Sequence, residues 1–386
     1  MKPSAAVPKR ILVRGVNWLG DAVMSTPALL RLREAHPRAR ITLFTPAKLA
    51  GLWPHHPALD TVIAFEPGES VWRVAQKLRR EKFDLALVLP NSPRSALEVW
   101  LAGIPERVGY AAKWRRGLLT RIVPQRAGAV EMRKRSVAEI KRIIEFSNAS
   151  EVARDAALAA SAVHHLHQYL HLTAAVGANP TPVAPRLEVT AIEVAEAADG
   201  WLSGLRNKLD ADAPGQPVVF LGLNPGAEYG PAKRWPAENF AAVTRAVSER
   251  VSNASWLIFG GPHDWKLCDE IAQAVPGRAI NLAGKTSLRE LMALLKGCEV
   301  LLTNDTGPMH VAAAVGTRVV ALFGSTSPEL TGPGLPGNAR HSLLRADVAC
   351  APCFRRECPI DFRCMNGITV EQAAEAVLAQ LSRPRS

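Results

Sequence analysis

Glu299–Pro328 reads EVLLTNDTGPMHVAAAVGTRVVALFGSTSP. Glu299 to Thr303 is a short apolar run suited to a buried strand. Met309, Ala312, Ala313 and Val315 then fall at helical spacing, and Val319 to Phe323 is strand-like again. The three pieces make a βαβ unit. Asp305 or Thr306 is placed to cap the helix, Pro308 suits its first turn and Gly316 its end. Free backbone N–H groups and the helix dipole converge at such a start. Gly307 lets a ligand approach the backbone, and His310 lies one turn further along the same face, so a phosphate is the natural guest. An ordinary capped helix in an α/β core is the competing reading.

The same alternation extends outward in both directions. Strand-like runs at 10–16, 40–44, 61–65, 85–89 and 107–110 are separated by helical stretches such as Val71 to Glu81, and a second series runs at 218–223, 256–259 and 279–282. Strands alternating with helices predict a doubly wound parallel sheet in each half. NPTPVAP at 179–185 reads as the linker, which divides the chain into 1–185 and 186–368, with 369–386 as a terminal helical extension.

Several strand ends carry groups fit for chemistry. After the first strand come Asn17, Trp18, Leu19, Gly20 and Asp21, with neither a Walker lysine nor spaced dinucleotide glycines. Asp21 is either a general base at the carboxyl end of the sheet or a helix cap. Asn91, Ser92 and Arg94 follow the fourth strand as hydrogen-bonding partners for sugar hydroxyls, or as a plain turn. A basic stretch from Lys113 to Arg135, with Arg115 in it, is a landing surface for an acidic substrate or a solvated face. In the second half, Asn224, Gly226, Lys233 and Arg234 form a basic glycine-bearing loop suited to a diphosphate. Loops at Gly260–Asp264, at Gly284 and Lys285, and at Asn304–Gly307 are expected on the same edge.

Lys and Arg number 47 against 35 Asp and Glu, a net +12 that favours anionic partners: phosphates, nucleic acid or a membrane surface. With only three Tyr and ten Phe and no nucleic-acid motif, a basic stripe of interleaved aromatics is lacking, which ranks a non-catalytic nucleic-acid or nucleotide binder below an enzyme. No apolar run reaches the roughly 18 residues of a membrane span. Lys9, Arg10 and Arg14 interrupt the N-terminal apolar stretch, so a cytoplasmic location is expected. His164, His165, His167 and His171 lack a metalloprotease context and read as surface or packing residues. Cys350, Cys353, Cys358 and Cys364 have a spacing that suggests zinc or iron–sulfur, but without the longer loop of standard zinc sites, so reduced structural thiols and no metal are the expectation.

NWLGDAVMSTPAL, LPNSPRSAL, RVGY, NPGAEYGPAKRWP, LAGKTSL, NDTGPMHVAAAVG and ALFGSTSP together resemble the bacterial ADP-heptose:lipopolysaccharide heptosyltransferases, glycosyltransferase family 9, over nearly the whole chain. The heptosyltransferase II branch is the nearest in pattern, with heptosyltransferase I or another nucleotide-sugar transferase as the alternative. The resemblance implies a GT-B architecture, two Rossmann-like domains facing across a cleft, with donor held by the second and acceptor by the first. It also implies that the terminal helix packs back on the first domain. Asp21 matches the family's base and Lys233 the lysine at the donor diphosphate. Asp305, Thr306, Gly307 and His310 match the donor motif, and Asp264 an acidic residue that holds the ribose. Asn224, Gly226, Arg234, Gly284 and Lys285 fall on the donor side by the same reading, and Asn17, Asn91, Ser92, Arg94 and Arg115 on the acceptor side. The implied reaction moves heptose from ADP-L-glycero-D-manno-heptose to the lipopolysaccharide inner core (the first heptose) at the inner membrane surface, without a metal cofactor. The stretch 121–161 looks longer and more irregular than the family pattern.

Overall fold

Apolar runs become strands here because both of their faces are covered. In the computed structural model, which describes residues 8–112, 114–146, 160–212 and 217–384, LALV at 85–88, VLLTN at 300–304 and RVVALF at 318–323 are buried at every position. Two six-stranded sheets result among the described residues. The first comprises β1 (Arg10–Arg14), β2 (Arg40–Pro46), β3 (Thr61–Phe65), β4 (Leu85–Val88), β5 (Glu106–Tyr110) and β6 (Arg121–Val123). The second comprises β7 (Val219–Asn224), β8 (Ala254–Ile258), β9 (Ala279–Asn281), β10 (Val300–Asn304), β11 (Arg318–Phe323) and β12 (Ser342–Arg345).

All pairings are parallel, in the orders β3-β2-β1-β4-β5-β6 and β12-β11-β10-β7-β8-β9. Counted from each sheet's own first strand, these are the same Rossmann order. The direction of winding reverses between β1 and β4 in one and between β7 and β10 in the other, the point where α/β sheets open a ligand crevice. The doubly wound α/β expectation holds for both halves. The edge strands β6 and β12 were not visible in the sequence, being three and four residues long.

The chain forms two compact units. One contains the described residues up to Ala129 with His165–Glu188, the other those of Val130–His164 and from Val189 onward. The described residues of 130–146 and 160–164 therefore group with the second unit, although they precede the proline linker. That segment is tied into the second unit by Arg135, whose N–H donates to the Cys353 carbonyl at 3.0 Å and whose Nη1 reaches the carbonyls of Ala349 and Cys350 at 3.3 and 3.2 Å. Ile140 packs there with Cys350 and Cys353. Val370–Leu381, started by a Thr369/Gln372 capping box, buries Ala373, Ala374 and Val377 in the second unit's own core beside Phe240, Val247, Val320 and Leu322. Part of the irregular stretch, 147–159, lies outside the described residues.

Within the second unit, Arg289 grips Glu193 through Nε and Nη2, each 2.6 Å from a carboxylate oxygen, and Thr190 donates to it from N and Oγ1 at 2.8 Å. The Arg289 bonds above all, opposed by partial burial, hold the Glu193 carboxyl down at about 2. A folded-state value below the unfolded one stabilises above the unfolded value and is lost as pH falls toward the folded one. Glu193→Gln is therefore expected to lower the thermal unfolding midpoint at neutral pH. Followed by circular dichroism, the gap to the parent closes as pH is lowered from about 5 toward about 2. A gap independent of pH refutes the linkage.

Candidate active site

In the first unit, Asp21 lies in the first turn of helix Leu19–Met24, whose N-cap is Trp18 and which has no side-chain cap bond. The helix-cap reading of Asp21 is thereby removed. Its carboxylate instead meets Tyr169 Oη at 3.2 Å and His165 Nε2 at 3.6 Å. Neither partner was singled out from sequence, where the four histidines read as packing residues. His171 does fit that reading, stacking on Tyr110 with ring centroids 6.0 Å apart and its Nε2 3.2 Å from the Pro124 carbonyl.

Beneath this carboxyl edge, Arg14 at the end of β1 bonds Glu98 through Nε at 2.9 Å, the Gly15 carbonyl at 2.6 Å and Asn17 Oδ1 at 3.2 Å, and stacks over the Phe65 ring at 4.5 Å. Arg94 takes the other Glu98 oxygen at 3.0 Å and also donates to the Glu69 carbonyl. The Arg14 and Glu98 side chains are 3% and 0% exposed, and burial lowers the Arg14 pKa against the opposing pull of Glu98. Asn17 and Arg94 are thus part of the scaffold of the β1 and β4 loops, while Asn91 is exposed. Ser92 is the N-cap of helix Pro93–Leu101, its Oγ accepting from the Ser95 N–H at 3.2 Å. Arg115 is fully buried: Nη1 donates to the Pro90 carbonyl at 2.5 Å, Nε and Nη2 have no hydrogen-bond partner among the described residues, and burial lowers its pKa to about 10.

The second unit assembles its loops more tightly. Helix Gly307–Ala314 begins at Thr306 without a side-chain cap bond, so neither Asp305 nor Thr306 occupies its opening. Asp305 accepts from Lys233 Nζ and from Thr326 Oγ1, both at 2.6 Å on Oδ2, and its carbonyl lies 3.3 Å from the same ammonium. His310 is buried on that helix. The Tyr229 ring lies between two cations, Lys233 Nζ at 5.0 Å and the Arg356 guanidinium at 5.1 Å. Asn304, which opens a loop expected on this edge but received no role from the sequence, fastens two loops: Nδ2 donates to the Pro225 carbonyl at 2.7 Å and Oδ1 accepts from the Trp235 N–H at 3.2 Å. Asn224 is buried in the same turn, its Nδ2 3.4 Å from the Gly226 carbonyl.

Gly226 is required by close approach, since a Cβ there falls 2.4 Å from Asp264 Oδ2. Asp264 also accepts from the Gly261 N–H at 3.0 Å and has Arg234 Nη2 3.8 Å away. Gly284, at φ +69, abuts Pro262 of the β8 loop. The loops after β7, β8, β9 and β10 therefore stand side by side as the sheet order requires. Lys285 is turned aside, its Nζ bonded to the Asn281 carbonyl at 3.0 Å. All six cysteines are free thiols. Burial, and then the other three thiols of the cluster, push Cys364 up to about 12. Among the described residues no group of three or more His, Cys, Asp or Glu is arranged to hold a metal ion.

Comparison with known proteins agrees with this fold. The family model described as glycosyltransferase family 9 (heptosyltransferase) matches residues 71–362, more than half of the chain. Lipopolysaccharide heptosyltransferase 2 of Escherichia coli (strain K12) is 31% identical over 361 residues, covering 88% of this chain and 92% of that protein. Lipooligosaccharide heptosyltransferase 2 of Haemophilus influenzae is 30% identical over 332 residues, covering 84% and 85%. Among solved structures, the E. coli ADP-heptose LPS heptosyltransferase II superposes with a TM-score of 0.73 at 27% identity, over 96% of this chain and 98% of that one. Two Rossmann-like sheets of this kind make the GT-B class of fold.

The buried Arg14–Glu98 pair yields a stability prediction. Glu98→Ala strands a buried guanidinium and is expected to destabilise by about 3–5 kcal/mol. Glu81→Ala, which removes the partly exposed partner of Arg10, costs about 0–1 kcal/mol. Denaturant midpoints of the two variants check the contrast, and equal losses contradict it.

Proposed function

The chain belongs to glycosyltransferase family 9, as a heptosyltransferase II-like lipopolysaccharide heptosyltransferase, and from that premise we propose a mechanism and substrates. The donor is ADP-L-glycero-D-manno-heptose, a member of the ADP-heptose class for which the similar E. coli enzyme is named. The acceptor is the inner core of lipopolysaccharide, and the reaction inverts the anomeric carbon in one displacement. Asp21 takes the proton of the acceptor hydroxyl while that oxygen bonds the anomeric carbon, and the sugar–phosphate bond breaks with its electrons leaving on ADP. Inversion needs only this one base.

The observation that carries the donor half is the uncapped start of helix Gly307–Ala314 with Lys233 beside it, held by Asp305. Backbone amides at Thr306 and Gly307 and the Lys233 ammonium offer an electropositive seat for the charge that grows on the leaving diphosphate. Asn304 and Asn224 brace the loop that carries Lys233. Arg234, Asp264 and Gly226 form the adjoining wall, where a ribose fits the Asp264 carboxylate. This reading assigns leaving-group stabilisation to protein groups, with no divalent cation required. The acceptor's own phosphates and carboxylates suit a chain of charge +12 working at an anionic membrane surface. No helix among the described residues is long and apolar enough to cross a membrane.

Titration calorimetry with ADP, ADP-heptose, UDP and GDP in EDTA tests the donor assignment. ADP-type ligands are expected to bind selectively, whereas preference for UDP or GDP discards the heptosyl donor. In transfer assays Asp21→Asn is expected to lower kcat by about 10²- to 10⁴-fold with ADP affinity retained, and Lys233→Ala by about 10²- to 10³-fold. Activity abolished by EDTA and restored by Mg²⁺ rules out the metal-free mechanism.

A further inference from the structure

Two side chains from a single stretch of chain converge on one oxygen of Asp21. Tyr169 Oη donates to Oδ1 at 3.2 Å. His165 Nε2 lies 3.6 Å from the same oxygen and 3.2 Å from Tyr169 Oη, with the two rings edge-on at 5.2 Å. The hydroxyl of Tyr169 is pushed well above the usual phenol value, first by burial and then by the Asp21 charge, so it remains a donor at all working pH. A phenol that donates to Oδ1 turns its lone pairs to His165, which assigns the Nε2 proton to the imidazole. Burial keeps that imidazole neutral to lower pH than usual, against the pull of Asp21. Asp21 Oδ2 has no hydrogen-bond partner among the described residues.

Few other ionisable groups bear on this cluster. Tyr110 on β5 is the one Tyr169 senses beyond Asp21; its hydroxyl donates to the Gln168 carbonyl at 2.6 Å, and Arg126 acts on it in turn. Helix Thr26–Ala35 packs against the same helix, Leu166–Ala174. Its Arg31 is turned to the Thr181 carbonyl and Glu34, and its Arg33 to the Ala39 carbonyl and Asp60.

We infer that His165 and Tyr169 are positioning residues for the base, holding Oδ1 so that Oδ2 faces the acceptor hydroxyl. The inference rests on Asp21 being that base. In the chemical step the acceptor O–H breaks, its proton moves to Oδ2, and neither Tyr169 nor His165 gains or loses a proton. The Tyr169 O–H is the donor that holds Oδ1, and it is aimed there because its own oxygen accepts from His165 Nε2–H. The function is thus divided: one oxygen is fixed and the other reacts.

Transfer kinetics decide the matter, with ADP affinity and the thermal midpoint measured alongside. Tyr169→Phe and His165→Ala are expected to lower kcat by about 10- to 10²-fold with donor KM within about twofold. His165→Gln, which restores a donor near Nε2, should recover activity to within about threefold of the parent. Parental kcat in both Tyr169→Phe and His165→Ala, with Asp21→Ala inactive, overturns the positioning role and leaves the base in place. A loss of kcat accompanied by a lowered thermal midpoint and left unrecovered by His165→Gln overturns it in favour of a packing role. Transfer retained by Asp21→Ala overturns the base and the inference together.

Discussion

Parallel pairing is the constraint on which this structure depends. A strand can have a parallel neighbour in sequence only through a crossover, and crossovers of one hand return every following strand in the same direction. All carboxyl ends then lie on one edge of each sheet, and so do the starts of the helices that follow them. In the second unit the loops after β7, β8, β9 and β10 accordingly stand together, and residues separated by dozens of positions touch: Lys233 with Asp305, Trp235 with Asn304, Gly226 with Asp264. In the first unit the same rule brings the β1 loop beside the β4 loop, where Arg14 and Arg94 share Glu98.

How much of this is legible in a sequence depends on how local the information is. Glu299–Pro328 could be read correctly because its apolar runs, its proline and its glycines are all local; strands at 300–304 and 318–323 and a helix at 307–314 are what those signals specify. The loop convergence followed from topology and so was legible too. The edge strands β6 and β12 are too short to display a period. Helix Val370–Leu381 was readable as an amphipathic helix, but Ala373, Ala374 and Val377 announce only that a face must be buried, not against which partner. The described part of 130–164 is hidden for the same reason, since the bonds from the Arg135 guanidinium to the carbonyls of Ala349 and Cys350 have no signature in composition.

The candidate base shows the limit most plainly. Asp21 was visible through its place after a strand and beside a glycine, but its partners lie 148 residues away in the chain for Tyr169 and in a run of histidines with no motif for His165. A tyrosine and a histidine four apart on a helix are ordinary core residues until something polar is found opposite them. Ser92 shows a position open to two uses: a serine before a proline at a strand end offers a hydroxyl, and the same position is where a helix takes its cap, as it does here.

Two ion pairs separate scaffold from site by the capacity each leaves unused. Arg14 and Glu98 are buried and saturated: the carboxylate has both oxygens filled by arginines, and the Arg14 guanidinium also bonds Gly15 and Asn17 and lies over an aromatic ring. Such a pair fixes geometry and offers nothing to a ligand. Lys233 and Asp305 are closed on one side only. The ammonium has three protons, the Asp305 carboxylate and carbonyl take two directions, and the side chain keeps 13% of its surface open. A lysine so held is oriented without being consumed. The carboxylate that orients it is itself held by Thr326, so an arriving anion competes for the remaining proton rather than for the pair. The uncapped amides of the adjoining helix are open in the same way, and the two openings side by side distinguish this loop cluster from an ordinary strand end.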